Sequence, residues 1–445
     1  MKKQDNPAFI FGLLALACII VIIIWCVIDA RYTNKPVTQN HPVVPDSLPC
    51  FLVLSDIHLN QSVNQDKITF WKAADTGEDL WDTAQNKIRN VLAGKAGFRV
   101  PSFIIVLGDL PWHAEASNKD GLESAHQNSG KVLKDLRALS QHAGIPLLYV
   151  PGNNDPWDGD YGSFSTKIFD LDSAGKGMWP LINPDNTNGG AGLATVIDKS
   201  KIDLGCYSAY PLGKSRKLRV ITLNTTMFVH RYADTINQQA QVTTQIQWFK
   251  DQLADAAADS EYILITMHVP MGLDGYKKKD FWRRSLSFDS TRLQNAFIDL
   301  LDKYSNRIVG VLSSHTHMDG LRKIFNKEGK LTNVDISVPA ISPGHGNNPG
   351  FKLISYNPSN FELQNFITFY DEFFPDKKVV SWDNAMFDFR GEFGCPKGTS
   401  IRTYLDTLNN TTLQNAVGAI YKVKNGRGKT DEVDTAINVR YELVK

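Results

Sequence analysis

From Pro49 onward, short apolar runs recur along the chain and each ends in a polar residue: CFLVLSD (50–56), SFIIVLGD (102–109), PLLYVPG (146–152), LRVITLN (218–224), YILITMH (262–268) and RIVGVLSSH (307–315). Unbroken apolar runs of this length predict strands buried on both faces. Between several of them, in 129–142, 238–258 and 289–303, apolar residues recur at steps of three and four, which predicts helices. This alternation predicts an α/β fold. After His317 the pattern returns to strand-like runs, VDISVPAIS (334–342), FKLISYN (351–357) and FELQNFITFY (361–370), which predict a second sheet packed on the first. Residues 371–445 are more polar and mostly helical in pattern, with a Gly/Lys-rich loop at 424–430, and predict a small C-terminal helical appendage.

The N-terminus is different material. Residues 8–28, AFIFGLLALACIIVIIIWCVI, carry no charge, and about 20 such residues span a hydrocarbon core as a helix. The run continues through bulky Ile, Val and Trp to Asp29 with no small-residue cleavage site, so residues 1–30 read as an uncleaved transmembrane signal anchor. Lys2 and Lys3 precede the span while Arg31 and Lys35 follow it. From this balance we expect the remainder on the non-cytosolic side, in a periplasm, a lumen or the extracellular space. Residues 31–48, with prolines in PVTQNHPVVPDSL, read as an extended tether, which leaves 49–370 as the main domain.

Charge excludes one class of partner. The 445-residue chain has 48 basic and 47 acidic side chains, a net charge of +1, so no global field recruits nucleic acid or an anionic membrane surface. No nucleic-acid binding is expected, membrane contact is expected only through the N-terminal helix, and no protein partner is inferable. Outside the apolar run the cysteines are Cys50, Cys206 and Cys395. They allow one disulfide and a spare thiol, or three free buried thiols.

The polar residues at the strand ends carry the chemistry, because ligands of open α/β sheets bind outside the carboxyl ends of the strands. SDIHLN offers Asp56 and His58, LGDLPWH offers Asp109, PGNND offers Asn153 and Asp155, TMHVP offers His268, and SSHTHMDG offers His315 and His317. Carboxylate and imidazole groups bind first-row divalent ions, and this set implies two, Zn, Mn or Fe.

In this order the pieces resemble the calcineurin-like metallophosphoesterases, over about residues 50–370. The resemblance implies a four-layer α/β/β/α sandwich of two mixed sheets. It also implies roles: Asp56, His58 and His317 on the first metal, Asn153, His268 and His315 on the second, and Asp109 bridging. Two ions about 3.5–4 Å apart lower the pKa of bound water toward ~7 and clamp the phosphoryl oxygens. The expected nucleophile is a metal-bound hydroxide, and no Ser or Cys is needed. In most of the family a histidine follows the ligand asparagine and serves the leaving group. Here that residue is Asn154, a candidate catalytic residue that can donate a hydrogen bond to phosphate but cannot transfer a proton at neutral pH.

GDLPWH places His113 four residues after Asp109. This spacing resembles the acid sphingomyelinase-like phosphodiesterases, as does SVPAISPGHGNNPGFKLISYN (337–357), and it makes His113 the expected proton donor. The chain departs from that branch in having no saposin-like segment before the core, few cysteines and the altered turn. Gly-Asn-Asn-Asp also resembles vacuolar endopolyphosphatases, which makes a polyphosphate or nucleotide phosphohydrolase the alternative enzyme. An alternative of another class is a catalytically silent, membrane-anchored binding module with Asn154 as its lesion. The stretch GYKKKDFWRR (275–284) offers Lys277, Lys278 and Lys279 among aromatics to an anionic substrate. Trp112, Trp157 and Tyr161 are candidates for an organic rim.

Overall fold

The computed structural model of the chain describes residues 43, 47–63, 75–115, 117–171, 179, 181–182, 194–213, 217–229, 236–274, 279–282, 292–372, 382, 385–424, 426 and 437–441. The strands in chain order are β1 (Cys50–Leu54), β2 (Ile104–Val106), β3 (Leu147–Tyr149), β4 (Leu181–Ile182), β5 (Thr195–Asp198), β6 (Tyr207–Tyr210), β7 (Leu218–Leu223), β8 (Tyr262–Met267) and β9 (Leu273–Asp274). They continue with β10 (Lys279–Asp280), β11 (Ile308–Ser313), β12 (Gly320–Phe325), β13 (Leu331–Ser337), β14 (Gly350–Tyr356), β15 (Leu363–Tyr370), β16 (Met386–Asp388) and β17 (Asn438–Val439). One sheet runs β16-β15-β14-β1-β2-β3-β4 and the other β17-β12-β13-β11-β8-β7-β6-β5. Both are mixed: β1, β2 and β3 are parallel with β14 antiparallel to β1, and β7, β8, β11 and β13 are parallel with β12 antiparallel to β13.

Side-chain alternation builds the layers. Along β1, Phe51 and Val53 point into a core shared with Val220, Leu264, Leu312 and Ile336 of the other sheet. Leu52 and Leu54 point the other way, as the two-residue strand period requires. There they meet helices α1 (Glu78–Leu92) and α2 (Lys119–Ala143) through Trp81, Ile88, Val132 and Leu136. The outer face of the second sheet, through Ile221, Ile263 and Val311, is covered by α3 (Ile236–Ala258) and α4 (Leu293–Lys303).

Two expectations need correction. The six early runs do not form one sheet with the later runs forming another: β1, β2 and β3 belong to the first sheet, β7, β8 and β11 to the second, and the later strands divide between both. Runs buried on both faces look alike whichever sheet they join. The region after 371, expected to be an appendage, is built into the core. β16 extends the first sheet and β17 the second. Helices α5 (Phe389–Phe393), α6 (Ile401–Thr407) and α7 (Asn410–Ile420) bury Phe389, Ile401, Leu405, Leu413 and Val417 in the inter-sheet core.

Cys50, Cys206 and Cys395 are buried free thiols. Among the described residues no helix is long and apolar enough to cross a membrane. The expected span over 8–28 and most of the tether lie outside the described residues.

Candidate metal centre

All the strand ends singled out from the sequence converge at one edge of the two sheets. The loops after β1, β2 and β3 face those after β8 and β11, and backbone-directed bonds tie them together. His268 Nδ1 lies 2.6 Å from Leu107 O, and the His315 N–H donates to Asp56 Oδ2 at 3.2 Å. The β2 and β3 loops are in backbone contact. A Cβ on Gly108 (φ 85°) would lie 2.3 Å from Gly152 N, and one on Gly152 would lie 2.2 Å from Asp109 Oδ1, so both positions need glycine. Asp56, His58, Asp109, His315 and His317 all have φ between 46° and 68°. Left-handed backbone at non-glycine residues is costly and gathers at functional sites.

The carboxylates and imidazoles form two groups, Asp56 with His58 and His317, and Asp109 with His268 and His315. Asp56 Oδ2 accepts from Ser55 Oγ and the His315 N–H. Its Oδ1 is buried without a hydrogen-bond partner among the described residues and lies 3.8 Å from His58 Nε2 and 3.7 Å from His317 Nε2. Asp109 Oδ2 lies 3.5 Å from His58 Nε2 and 3.3 Å from His268 Nε2, between the two groups. His58 Nδ1 is placed to donate to Pro111 O at 3.1 Å. That leaves the lone pair on Nε2, which is itself buried without a hydrogen-bond partner among the described residues. His268, donating from Nδ1, likewise presents Nε2, 3.0 Å from Asn153 Oδ1. Buried polar atoms left unpaired are rare. Backbone carbonyls that fix the tautomer so that Nε2 faces inward are how proteins orient metal-binding histidines. The donor set fits two divalent ions of the N/O-preferring kind.

The turn 151–155 serves these groups in three ways. Asn153 turns its carbonyl oxygen to His268 and donates from Nδ2 to Asp160 at 2.7 Å. Asn154 holds both oxygens of Asp109, through its backbone N–H and its Nδ2, each at 2.8 Å. Its Oδ1 lies 2.8 Å from His113 Nδ1. Asp155, grouped with the ligands on sequence, is not at the centre. Its carboxylate accepts from the N–H groups of Asp109, Leu110 and Gly152 and from the Tyr149 hydroxyl, and so locks the β2 and β3 loops together.

Charge follows from this crowding. Burial opposes protonation of His58, yet the Asp56 and Asp109 carboxylates outweigh it and push the imidazole up to about 9. His268 is pushed up to about 9 in the same way, chiefly by Asp109 against burial. Asp109 is held far below the usual carboxylate range, since His268 and His58 outweigh its own burial. His315 is lowered to about 3 by burial and the charge on His268, and His317 is lowered by burial and the surrounding imidazoles.

His113 is exposed, with its ring centroid 4.7 Å from that of His58. Desolvation in the cleft and the neighbouring His58 hold it below the ordinary histidine value. Trp112 is half-buried beside it, and its indole nitrogen is buried without a partner among the described residues. Tyr161 reaches His315, hydroxyl to Nε2, at 3.4 Å. Trp157 stacks on His126 and not on the metal cluster. Lys279 is exposed in the β9–β10 hairpin, while Lys277 and Lys278 lie outside the described residues. The aromatics expected to interleave with these lysines are partly core: Phe281 and Trp282 are buried under the second sheet. One residue went unremarked in the sequence. His345, between two glycines in SPGHGNNPG, is exposed and sets its ring edge-on to His317, centroids 4.5 Å apart. Its only signal was a histidine in a short loop after a strand end.

Fold and site together define a two-sheet α/β protein with a candidate two-metal centre at the carboxyl ends of its strands. The calcineurin-like phosphoesterase family matches residues 51–319, and the chain belongs to that family. Among its relatives, the cyclic GMP-AMP phosphodiesterase SMPDL3A of Bos taurus is 27% identical over 279 residues, 60% of this chain and 56% of its own. The Homo sapiens protein of the same name is 26% identical over 283 residues, again 60% and 56% of the two chains. Sphingomyelin phosphodiesterase 1 of Caenorhabditis elegans is 22% identical over 312 residues, 66% of this chain and 49% of its own. The match thus spans about half the length of these relatives. Their names are consistent with the acid sphingomyelinase-like branch that the motifs around His113 and in 337–357 resemble.

Proposed function

We propose that the protein is a dinuclear metal-dependent phosphodiesterase of the sphingomyelinase-like kind. The observation that carries this reading is the position of Asp109 Oδ2, 3.5 Å from His58 Nε2 and 3.3 Å from His268 Nε2, where one carboxylate oxygen serves both halves of the donor set. Asp56, His58 and His317 would hold one ion, Asn153, His268 and His315 the other, with Asp109 shared. When bound, such a pair supplies an activated water and a clamp for phosphoryl oxygens.

The remaining work falls to the chain. Asn154 fixes the orientation of Asp109 and accepts from His113 Nδ1–H, so His113 presents Nε2 to the cleft. A phosphodiester anion beside it would favour the imidazolium, and transfer of that proton from Nε2 to the departing alkoxide is worth ~10²–10⁴ in rate. The apolar run at 8–28 would hold this site near a membrane, on its non-cytosolic side.

The test is turnover by the purified full-length chain with Mn²⁺, Zn²⁺ or Fe²⁺, on a cyclic dinucleotide, a phosphocholine lipid, a nitrophenyl diester, a nucleoside triphosphate and polyphosphate. Diester hydrolysis abolished by a chelator and restored by metal is expected. Preference for polyphosphate would instead make this an endopolyphosphatase, and no turnover of any of them would leave a binding module. Protease protection in sealed vesicles tests the membrane orientation.

A further inference from the structure

Four imidazoles are linked by successive ring contacts on the first-metal side of the centre. His113 contacts His58 at 4.7 Å between centroids, His58 contacts His317 at 4.8 Å, and His317 contacts His345 at 4.5 Å. The inner two are buried and belong to the candidate metal set. The outer two, His113 and His345, are exposed. Each of the inner pair thus has an exposed imidazole in ring contact with it, His113 on His58 and His345 on His317.

The loop that carries His345 is built to hold it. The connection from β13 to β14 crosses from the second sheet to the first over the metal cluster. At its base the Ala340 N–H donates to His317 O at 3.2 Å, and the Ser342 N–H donates to Asp56 O at 3.1 Å. Within the loop the Gly346 N–H donates to Pro343 O at 3.0 Å, and Asn347 Nδ2 to Ser342 O at 2.9 Å. Its far side is tied to the segment after α7: the Asn348 N–H donates to Lys422 O at 3.2 Å and Asn348 Nδ2 to Val423 O at 2.9 Å. Gly346 has φ 77° and closes the turn immediately after the histidine. Such a doubly anchored loop fixes the position of its exposed side chain before any ligand arrives, which a direct contact to the substrate requires.

The turn on the other side of the centre leaves room for such a contact. Both polar ends of Asn154 are committed, Nδ2 to Asp109 and Oδ1 to His113. That leaves Asn154 one Nδ2–H, so a second donor to the substrate has to come from another residue.

We propose that His345 hydrogen-bonds the phosphoryl group of the substrate, as a binding residue distinct from the candidate acid His113. This rests on the phosphodiesterase reading for the identity of the substrate, and its test is arranged to be separable from it. Inorganic phosphate binding to the metal-loaded full-length chain is measured by calorimetry for the wild type, His345→Ala and His345→Gln, with bound metal counted in each. We expect His345→Ala to keep its metal and its melting temperature and to bind phosphate ~10-fold or more weakly, with His345→Gln recovering part of the loss. On a nitrophenyl diester the alanine variant should lose ~10² in kcat/KM, the scale for removing one donor to a reacting oxygen. Phosphate affinity within twofold of wild type in His345→Ala overturns the proposal. So does loss of metal in that variant, which would make His345 a ligand or a support for one, and so does a loaded wild type that binds no phosphate. A wild type that hydrolyses no diester yet binds phosphate in a His345-dependent manner sinks the catalytic reading and leaves the contact standing.

Discussion

His113 and Asn154, 41 residues apart in the chain, meet through Nδ1 and Oδ1 at 2.8 Å, and the same Asn154 grips both oxygens of Asp109. The asparagine is a connector between the candidate bridging carboxylate and the candidate acid. His113→Ala should lower kcat by ~10²–10⁴ on a diester with a poor leaving group and far less on a nitrophenyl ester, whose phenolate leaves unprotonated. Equal losses on the two would show that His113 binds or supports and does not deliver a proton.

Asn154→Ala removes one of the Asp109 clamps and the partner of His113 together. Groups that orient metal ligands are typically worth 10–100-fold in metal affinity or activity, and a loss in that range is expected in a metal-competition titration. A variant with undiminished affinity and unchanged turnover would deny the connector role.

Gly152→Ala would place a methyl group 2.2 Å from Asp109 Oδ1 and 2.3 Å from its backbone nitrogen. The loop cannot absorb this without moving the carboxylate. We expect a folded protein by circular dichroism that retains less than two ions per chain by elemental analysis. Full metal occupancy in this variant would mean that the β2 loop is softer than its packing implies.

Metal uptake should depend on pH in a direction fixed by His58 and His268, each raised to about 9 when no ion is bound. A histidine has a pKa of ~6.5 in the unfolded chain, so the raised folded value contributes stability that is complete below that pH and is lost as pH rises through about 9. Metal binding needs the neutral imidazoles and releases their protons. The difference in melting temperature between loaded and metal-free protein should therefore widen from pH 6.5 to 9. Calorimetry in buffers of different ionisation enthalpy should show proton release on loading. A gap that narrows with pH would contradict this account.

Beneath the His317 loop, Lys352 of β14 is fully buried with Nζ 2.7 and 2.8 Å from the two oxygens of Asp319 and 2.9 Å from Thr368 Oγ1. Removing one partner of such a pair leaves a lone buried charge, at a cost of about 3–5 kcal/mol. Lys352→Met should show a loss of that order in urea unfolding. The double variant Lys352→Met with Asp319→Leu should recover much of it. Equal stability of single and double variants would show that the pair is not coupled.

How much of this was legible in the chain depended on distance along it. Asp56 and His58, or His315 and His317, announce themselves because each pair sits two residues apart just past an apolar run, and strand ends in α/β sheets gather at one edge. Asn153 was legible through its motif. The second role of Asn154 was not, because it arises from a contact with His113 across 41 residues, and a sequence pattern carries no such pairing. Sheet membership was hidden because β1 and β8 are equally apolar on both faces. β17 was hidden because two residues, Asn438 and Val439, make no period. His345 was hidden because its place depends on a crossover between sheets.

The C-terminal segment touches the centre at a second point, where the Asp319 N–H donates to Tyr421 O at 2.9 Å, two residues after His317. Together with the bonds from Asn348 to Lys422 and Val423, this makes the order of synthesis matter. The loops carrying Asp56, Asp109 and Asn153 are made first and those carrying His268, His315 and His317 next, and the supports of His317 and His345 at 421–423 follow all of them. All seven candidate donors thus precede in the chain the segment that braces the His317 loop, so an ion captured during synthesis would meet a complete set of donors not yet held in place.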